Sequence, residues 1–320
     1  MRKPYRDPHR VDHSAVGEHG RPPRGRVGRQ FVSHGAVETQ VMTMCRWLAY
    51  SGTPMLLDTI LYRPAHSLID QSLHSKLGVE TTNGDGFGVG WYADDIESPA
   101  LLRDVGPAWN NRNLREMADH VRSPLFFAHI RASTGTAVQQ SNCHPFRHGR
   151  WMFMHNGAIS GFHLMRRDLT LLVDPALYAD IGGTTDSEVM FYLALTYGLE
   201  QDPPTAIARM AGVVERVGHE HGVEFPLQMT LAMTDGVRLW AFRYSSGRAS
   251  RSLYYSSRVD SLRRLYPDMP FLQEVSEETR LIVSEPLGDL PGAWNEVPES
   301  SYGVVQPGVD EMHAFAPVAA

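Results

Sequence analysis

Four short stretches carry side chains that could do chemistry together: M-C-R at 44–46, A-H-I-R-A-S-T-G at 128–135, H-N-G at 155–157 and T-T-D-S-E at 184–188. If Met44 is removed, Cys45 presents a thiol and a free α-amine, a nucleophile and a general base in one residue. Ordinary pKa values of about 8.5 and 7.7–8.0 let a proton pass between them near neutrality. The Asn156 carboxamide and the Gly157 N–H can donate to the oxyanion of a tetrahedral intermediate. Arg131 offers a planar fork that matches a carboxylate, a geometry Lys lacks. Asp186, at the start of a helical pattern, can receive an ammonium. A carboxylate clamp, an ammonium clamp and an amide-cleaving centre together specify a small-molecule γ-glutamyl substrate.

Each stretch also has an ordinary structural explanation. A lone Cys opening a strand is more often a core residue, and Asn-Gly after a strand is usually a turn. An Arg ending a strand is usually solvated, and an Asp at a helix start usually serves the cap and dipole. Cys143, followed by His144, allows a conventional Cys–His nucleophile, which leaves Cys45 and H-N-G without roles. The glycines of N-G-D-G-F-G-V-G (83–90) lack the Lys-Ser/Thr of a phosphate loop and read as a pocket wall or a hairpin. The histidines show no metal-ligand spacing of the H-E-x-x-H kind, and the chemistry demands no cofactor or metal.

The elements that must position these residues come in blocks, without the strand–helix alternation of a parallel sheet. Strands are expected at 45–51, 86–92, 125–131, 151–155, 229–234, 237–244, 252–256 and 281–284, with an Asp-Gly hairpin turn at Asp235-Gly236. Helices are expected at 113–121, 162–172, 186–199 and 204–217. The third has a capping box, Thr185 to Glu188, and the fourth has prolines in its first turn. This pattern indicates an α+β fold with helices packed on sheet faces.

A chain of 320 residues, 42% hydrophobic and 21% charged, is an ordinary globule able to bury a sizeable core. A net charge of -6 gives no electrostatic footprint for nucleic acid. Its two cysteines make no disulfide framework and fit a reducing, cytoplasmic setting. No apolar run approaches the roughly 20 residues that span a bilayer, so no membrane role is expected. Residues 1–43, rich in Arg, His, Pro and Gly, read as a disordered extension. Asp7, Asp12, Glu18 and Glu38 and the prolines speak against a transit peptide. An amide-linked Cys45 has no free α-amine. The extension is therefore expected to be an over-called start before Met44, or else a cleaved segment, with the working domain at 45–320.

M-C-R at 44–46, H-I-R-A-S-T-G at 129–135, N-C-H-P-F at 142–146, M-H-N-G at 154–157 and T-T-D-S-E at 184–188 resemble the class II glutamine amidotransferases of the N-terminal-nucleophile hydrolase superfamily. The resemblance covers most of the chain from Met44, with the motifs in family order. It implies a four-layer αββα sandwich, with Cys45 as nucleophile, Asn156 and Gly157 as oxyanion hole, Arg131 as carboxylate ligand and Asp186 as amine ligand. It further places Thr134 and His144 along the pocket. R-P-A-H-S-L-I-D-Q-S (63–72), N-G-D-G-F-G-V-G-W-Y (83–92) and P-A-W-N-N-R-N-L (107–114) look like a narrower branch. That branch includes the amidotransferase subunit of the fungal glutathione-degrading complex and relatives acting on a γ-glutamyl intermediate of ergothioneine synthesis. The expected activity is hydrolysis of γ-glutamyl amides, with a partner peptidase or biosynthetic enzyme left open. An ammonia-supplying glutaminase subunit and an inactive ligand-binding regulatory subunit are the alternatives. Selectivity beyond the scissile bond is expected from residues 83–90 and Trp109.

Overall fold

The structure is a computed structural model that describes residues 45–74, 76, 82–132 and 136–319. Its strands are β1 (Arg46–Leu56), β2 (Phe87–Trp91), β3 (Ala100–Asp104), β4 (Arg122–Ile130), β5 (Phe146–His148), β6 (Trp151–Ile159), β7 (Leu227–Thr234), β8 (Leu239–Ser245), β9 (Tyr254–Ser256), β10 (Arg280–Val283), β11 (Trp294–Glu296), β12 (Ser301–Val305) and β13 (Glu311–Ala314). They form one sheet in the order β11-β9-β10-β1-β4-β2-β3 and another in the order β13-β12-β8-β7-β6-β5.

Side chains alternate faces along a strand, and this alternation sorts the core into three layers. Trp47 and Ala49 of β1 and Phe127 of β4 meet Met152, Met154 and Ala232 of the second sheet, filling the space between the sheets. The intervening residues Leu48, Tyr50, Phe126 and Ala128 face outward onto Leu114 and Ala118 of the helix Arg112–His120. On the far side, Phe153, Leu231 and Phe242 are covered by Met165, Phe191 and Met210, from the helices Phe162–Leu171, Asp186–Thr196 and Pro203–Glu220. Helices, sheet, sheet and helices make the expected four-layer αββα sandwich.

The larger expected elements are present, with three differences. First, Asn156-Gly157 is no turn: β6 runs on to Ile159, because Asn156 and Gly157 pair with Thr230 and Met229 of β7. The Thr230 hydroxyl also donates to the Asn156 carbonyl at 3.0 Å. Second, the capping box works in one direction only. Thr185 Oγ1 accepts from the Glu188 amide at 3.2 Å, but the Glu188 carboxylate turns to the amides of Gly182 and Gly183, 3.0 and 2.7 Å away. Third, β3, β5 and β11–β13 were not expected; each has at most five residues, and β13 is exposed throughout, so no burial period marks it.

The second half of the glycine-rich stretch is strand, β2, which forms a hairpin with β3. Gly88 and Gly90 face the second sheet, where a Cβ would run into the His144 carbonyl oxygen or the Met152 sulfur. These two positions let the sheets close on each other. Gly84, just before the strand, lies against the Trp109 ring, 3.0 Å from where its Cβ would be. Gly88→Ala should lower unfolding stability by about 3 kcal/mol, because the obstacle is backbone and cannot rotate away. Urea unfolding checks it, a lower midpoint at unchanged m-value being the expected result.

Candidate active site

Alternation sets the first contact of the site. Cys45 shares the inward face of Trp47, and Asn156 shares that of Met154, so the two meet between the sheets. Asn156 Nδ2 donates to the Cys45 carbonyl at 2.8 Å. Arg46 points the other way, where its Nε meets Glu285 Oε2 at 2.7 Å with both side chains 2% exposed or less. Its Nη1 reaches back to the same Cys45 carbonyl at 3.1 Å. Glu285 in turn takes His66 Nε2 at 2.5 Å, and His66 Nδ1 meets Asp70 at 2.9 Å. The stretch at 63–72 therefore works from behind, as the brace of the residue next to Cys45.

The thiol rests at the open end of β4. Ala132 N–H lies 3.4 Å from Cys45 Sγ and the Ala132 carbonyl 3.5 Å. Burial pushes the thiol pKa up, and the Ala132 amide and then Arg251, Arg131 and Arg46 pull it back part of the way. Arg131, beside Ala132, is 3% exposed and donates to the Asp85 carbonyl, Thr136 Oγ1 and the Ala137 carbonyl at 3.2, 2.6 and 3.2 Å. Its fork thus organises the two loops that flank it.

Asp186 is the first residue of its helix. It accepts from the Ile159 amide at 2.8 Å through Oδ2 and from the Ser187 amide at 2.8 Å through Oδ1. Successive amides along a strand point to opposite edges, so the Gly157 N–H points to the same edge of β6 as that of Ile159. β5 pairs only with Trp151–Phe153 and does not reach this edge. The Gly157 N–H and the Asp186 carboxylate thus share one edge of β6, the strand whose Asn156 carboxamide meets Cys45.

His144 is buried against His129 and Phe146, with ring centroids 4.2 and 4.6 Å away and no hydrogen-bond partner among the described residues. It packs in the layer next to the site. Cys143 is fully buried and donates to the carbonyls of Asp104 and Gln139, and burial raises its pKa. It has no imidazole partner among the described residues, so the Cys–His alternative finds no support in the geometry. Thr134 lies outside the described residues.

Sequence reasoning missed several participants. Asn142 ties the loop before Asp186 in place, donating to Thr184 Oγ1 at 3.0 Å and accepting from the Thr184 amide at 2.8 Å. His155, inside a motif already singled out, meets Ser187 Oγ at 2.8 Å and the Gln228 carbonyl at 3.3 Å. Glu285 and Arg251 carried no local signal, lying in motif-free sequence more than 200 residues after Cys45.

The profile of the glutamine amidotransferases class-II family matches residues 62–310. The chain is 33% identical to the probable glutamine amidotransferase DUG3 of Saccharomyces cerevisiae, over 81% of this chain and 80% of the yeast protein. It is 25% identical to the γ-glutamyl-hercynylcysteine sulfoxide hydrolase of Mycolicibacterium smegmatis, over 80% of this chain and 93% of that enzyme. Among solved structures it resembles a glutamine aminotransferase class-II domain protein from Silicibacter pomeroyi, with a TM-score of 0.65 and 35% identity over 86% of this chain and 100% of the other.

Two stability predictions follow from the charges. Glu285→Gln leaves Arg46 buried without its counter-ion and should cost about 3 kcal/mol at pH 7. Its neighbours depress the Glu285 pKa. The pair's contribution is therefore full above the unfolded carboxylate value of about 4.3 and fades as pH falls through the lower folded value. Chemical unfolding at pH 7 and in that acid window checks both the loss and its pH dependence. His129 behaves differently: burial lowers its pKa to about 3, so it stays neutral where the unfolded chain is protonated. Below an unfolded value of about 6.5 stability should fall by about 1.4 kcal/mol per pH unit from His129 alone. A flat profile between pH 6 and 4 would contradict this.

Proposed function

Because the chain belongs to the class II glutamine amidotransferases, we propose that it hydrolyses the γ-glutamyl amide bond of a γ-glutamyl compound through a γ-glutamyl thioester on Cys45. The observation that carries the proposal is the meeting of Cys45 with the Asn156 carboxamide across the two sheets, 2.8 Å apart at the carbonyl. The Cys45 α-amine, once free, takes the thiol proton as Sγ bonds to the γ-carbonyl carbon. That base is needed because burial holds the thiol in its protonated form. The carbonyl π-electrons move onto oxygen, where the second N–H of Asn156 and the Gly157 N–H receive them. Collapse of the intermediate re-forms the carbonyl and expels the amine, which takes the proton back from the α-ammonium. Water then attacks the thioester by the same steps, releasing glutamate and the thiol. Arg131 holds the substrate α-carboxylate and Asp186 its α-ammonium.

The α-amine requires that translation start at Met44 with Met removal, or that the chain be cut before Cys45. The preferred substrate in this reading is a γ-glutamyl thiol-derived compound over glutamine, which one of the two named relatives supports. That relative is, by name, a hydrolase of a γ-glutamyl-hercynylcysteine sulfoxide. We place the enzyme in the cytoplasm, where a nucleophilic thiol stays reduced, with a partner peptidase or biosynthetic enzyme downstream. If glutamine outpaces γ-glutamyl compounds by about tenfold or more in kcat/KM, the ammonia-supplying alternative takes its place.

Protein begun at Met44 should hydrolyse γ-glutamyl substrates, whereas protein verified by mass to retain residues 1–43 should not. Cys45→Ala should abolish turnover, Cys143→Ala should keep most of it, and Asn156→Ala should lower kcat by about 10²–10³. Arg131→Lys should raise KM by about tenfold or more, matching about 1.5–3 kcal/mol of lost charged hydrogen bonding. Full activity of the uncleaved chain would falsify the terminal-amine mechanism.

A further inference from the structure

Arg251 is 9% exposed and belongs to no motif of the sequence. Its placement follows from the strand order. β1 has β4 on one edge and β10 on the other. Arg131 lies just past the end of β4, whose Ile130 pairs with Arg46. Ser284, just past the end of β10, donates its amide to the Trp47 carbonyl at 3.1 Å, and its own carbonyl takes the Ser252 hydroxyl at 2.9 Å. Arg131 and Arg251 therefore approach Cys45 from opposite edges of the same strand.

Arg251 is also aimed. Its Nε donates to Gln228 Oε1 at 3.2 Å, and Gln228 Nε2 fixes the loop through the Ala249 carbonyl at 2.6 Å. The Gln228 backbone carbonyl lies where a Cβ on Gly157 would stand, so the guanidinium is anchored to β7, the strand paired with the one that carries Asn156 and Gly157. Among nearby cations Arg251 pulls hardest on the Cys45 thiol, and the carboxylate of Asp186 acts on it in turn.

Glutamine gives this second arginine nothing to hold: its α-carboxylate goes to Arg131, and its leaving group is ammonia. A γ-glutamyl-α-amino acid differs, because its leaving nitrogen bears a carbon that carries a carboxylate, two bonds of about 1.5 Å away from the scissile nitrogen. With the head group on the Arg131 side of Cys45, that carboxylate falls on the opposite side. We propose that Arg251 binds the α-carboxylate of the leaving amino acid, making γ-glutamyl-α-amino acids the substrate class this site selects. The proposal rests on the γ-glutamyl hydrolase function above, and a guanidinium fork is the group suited to such a carboxylate.

The test uses γ-glutamyl-S-methylcysteine and its C-terminal carboxamide, which differ only in that carboxylate. In the Cys45→Ala protein, where nothing turns over, calorimetry should show the acid binding at least about tenfold tighter than the carboxamide. In Cys45→Ala/Arg251→Met the ratio should fall below about threefold, and Arg251→Lys should recover part of it. In the active enzyme, Arg251→Met should lower kcat/KM for the acid at least about tenfold more than for glutamine. Equal binding of acid and carboxamide to the Cys45→Ala protein, or equal losses on both in Arg251→Met, overturns the assignment. Absent turnover with the binding ratio intact would overturn the hydrolase function and leave Arg251 as the carboxylate ligand of a binding subunit.

Discussion

The hydrogen bond from Asn156 Nδ2 to the Cys45 carbonyl crosses from one sheet to the other. Face-packed sheets usually stand about 10 Å apart, so a side chain that bridges them must find its partner where the gap is smallest. Gly88 and Gly90 provide that approach by accepting the His144 carbonyl and Met152 where any side chain would collide. Gly157 makes a like approach within one sheet, against the Gln228 carbonyl of the neighbouring strand β7. Gly88 and Gly90 thus set the spacing of the two sheets at the site, and Gly157 the approach of two strands within one of them.

The electrostatics are built around a thiol that burial keeps neutral. Three arginines surround it, each restrained differently: Arg46 by the Glu285 carboxylate, Arg131 by loop oxygens, Arg251 by a glutamine side chain. A buried ion pair such as Arg46–Glu285 adds little net stability over an apolar pair, but breaking it is costly. Its structural return is orientation, since it fixes the guanidinium that also grips the Cys45 carbonyl. The histidine at 66 and the aspartate at 70 extend that brace toward the surface.

Much of the sandwich could be read from the sequence because its central strands and main helices are long apolar runs that are buried almost throughout. β1, β4, β6 and the helix Asp186–Thr196 are long and mostly buried; Cys45, Arg131 and Asp186 lie at or next to the ends of three of them, and Asn156 lies within β6. The edge strands escaped notice because short, exposed segments bury too little to leave a pattern. The end of β6 is expected at His155 for a related reason: Asn-Gly is a turn signal locally, and only pairing with β7 carries the strand on to Ile159. Arg251 and Glu285 had no signature at all. They reach the site through strand order, which brings β10 beside β1, and β9 beside β10, across more than 200 residues of chain, and no local window contains that information.

Cys45 is anchored through its main chain. Asn156 and Arg46 both hold its carbonyl, and the side chain beyond Cβ takes no part in that grip. The scaffold thus fixes the main chain of residue 45 separately from the sulfur, which among the described residues hydrogen-bonds only with the Ala132 amide and carbonyl. Position and reactivity at residue 45 are set by different neighbours, so a change to one need not disturb the other.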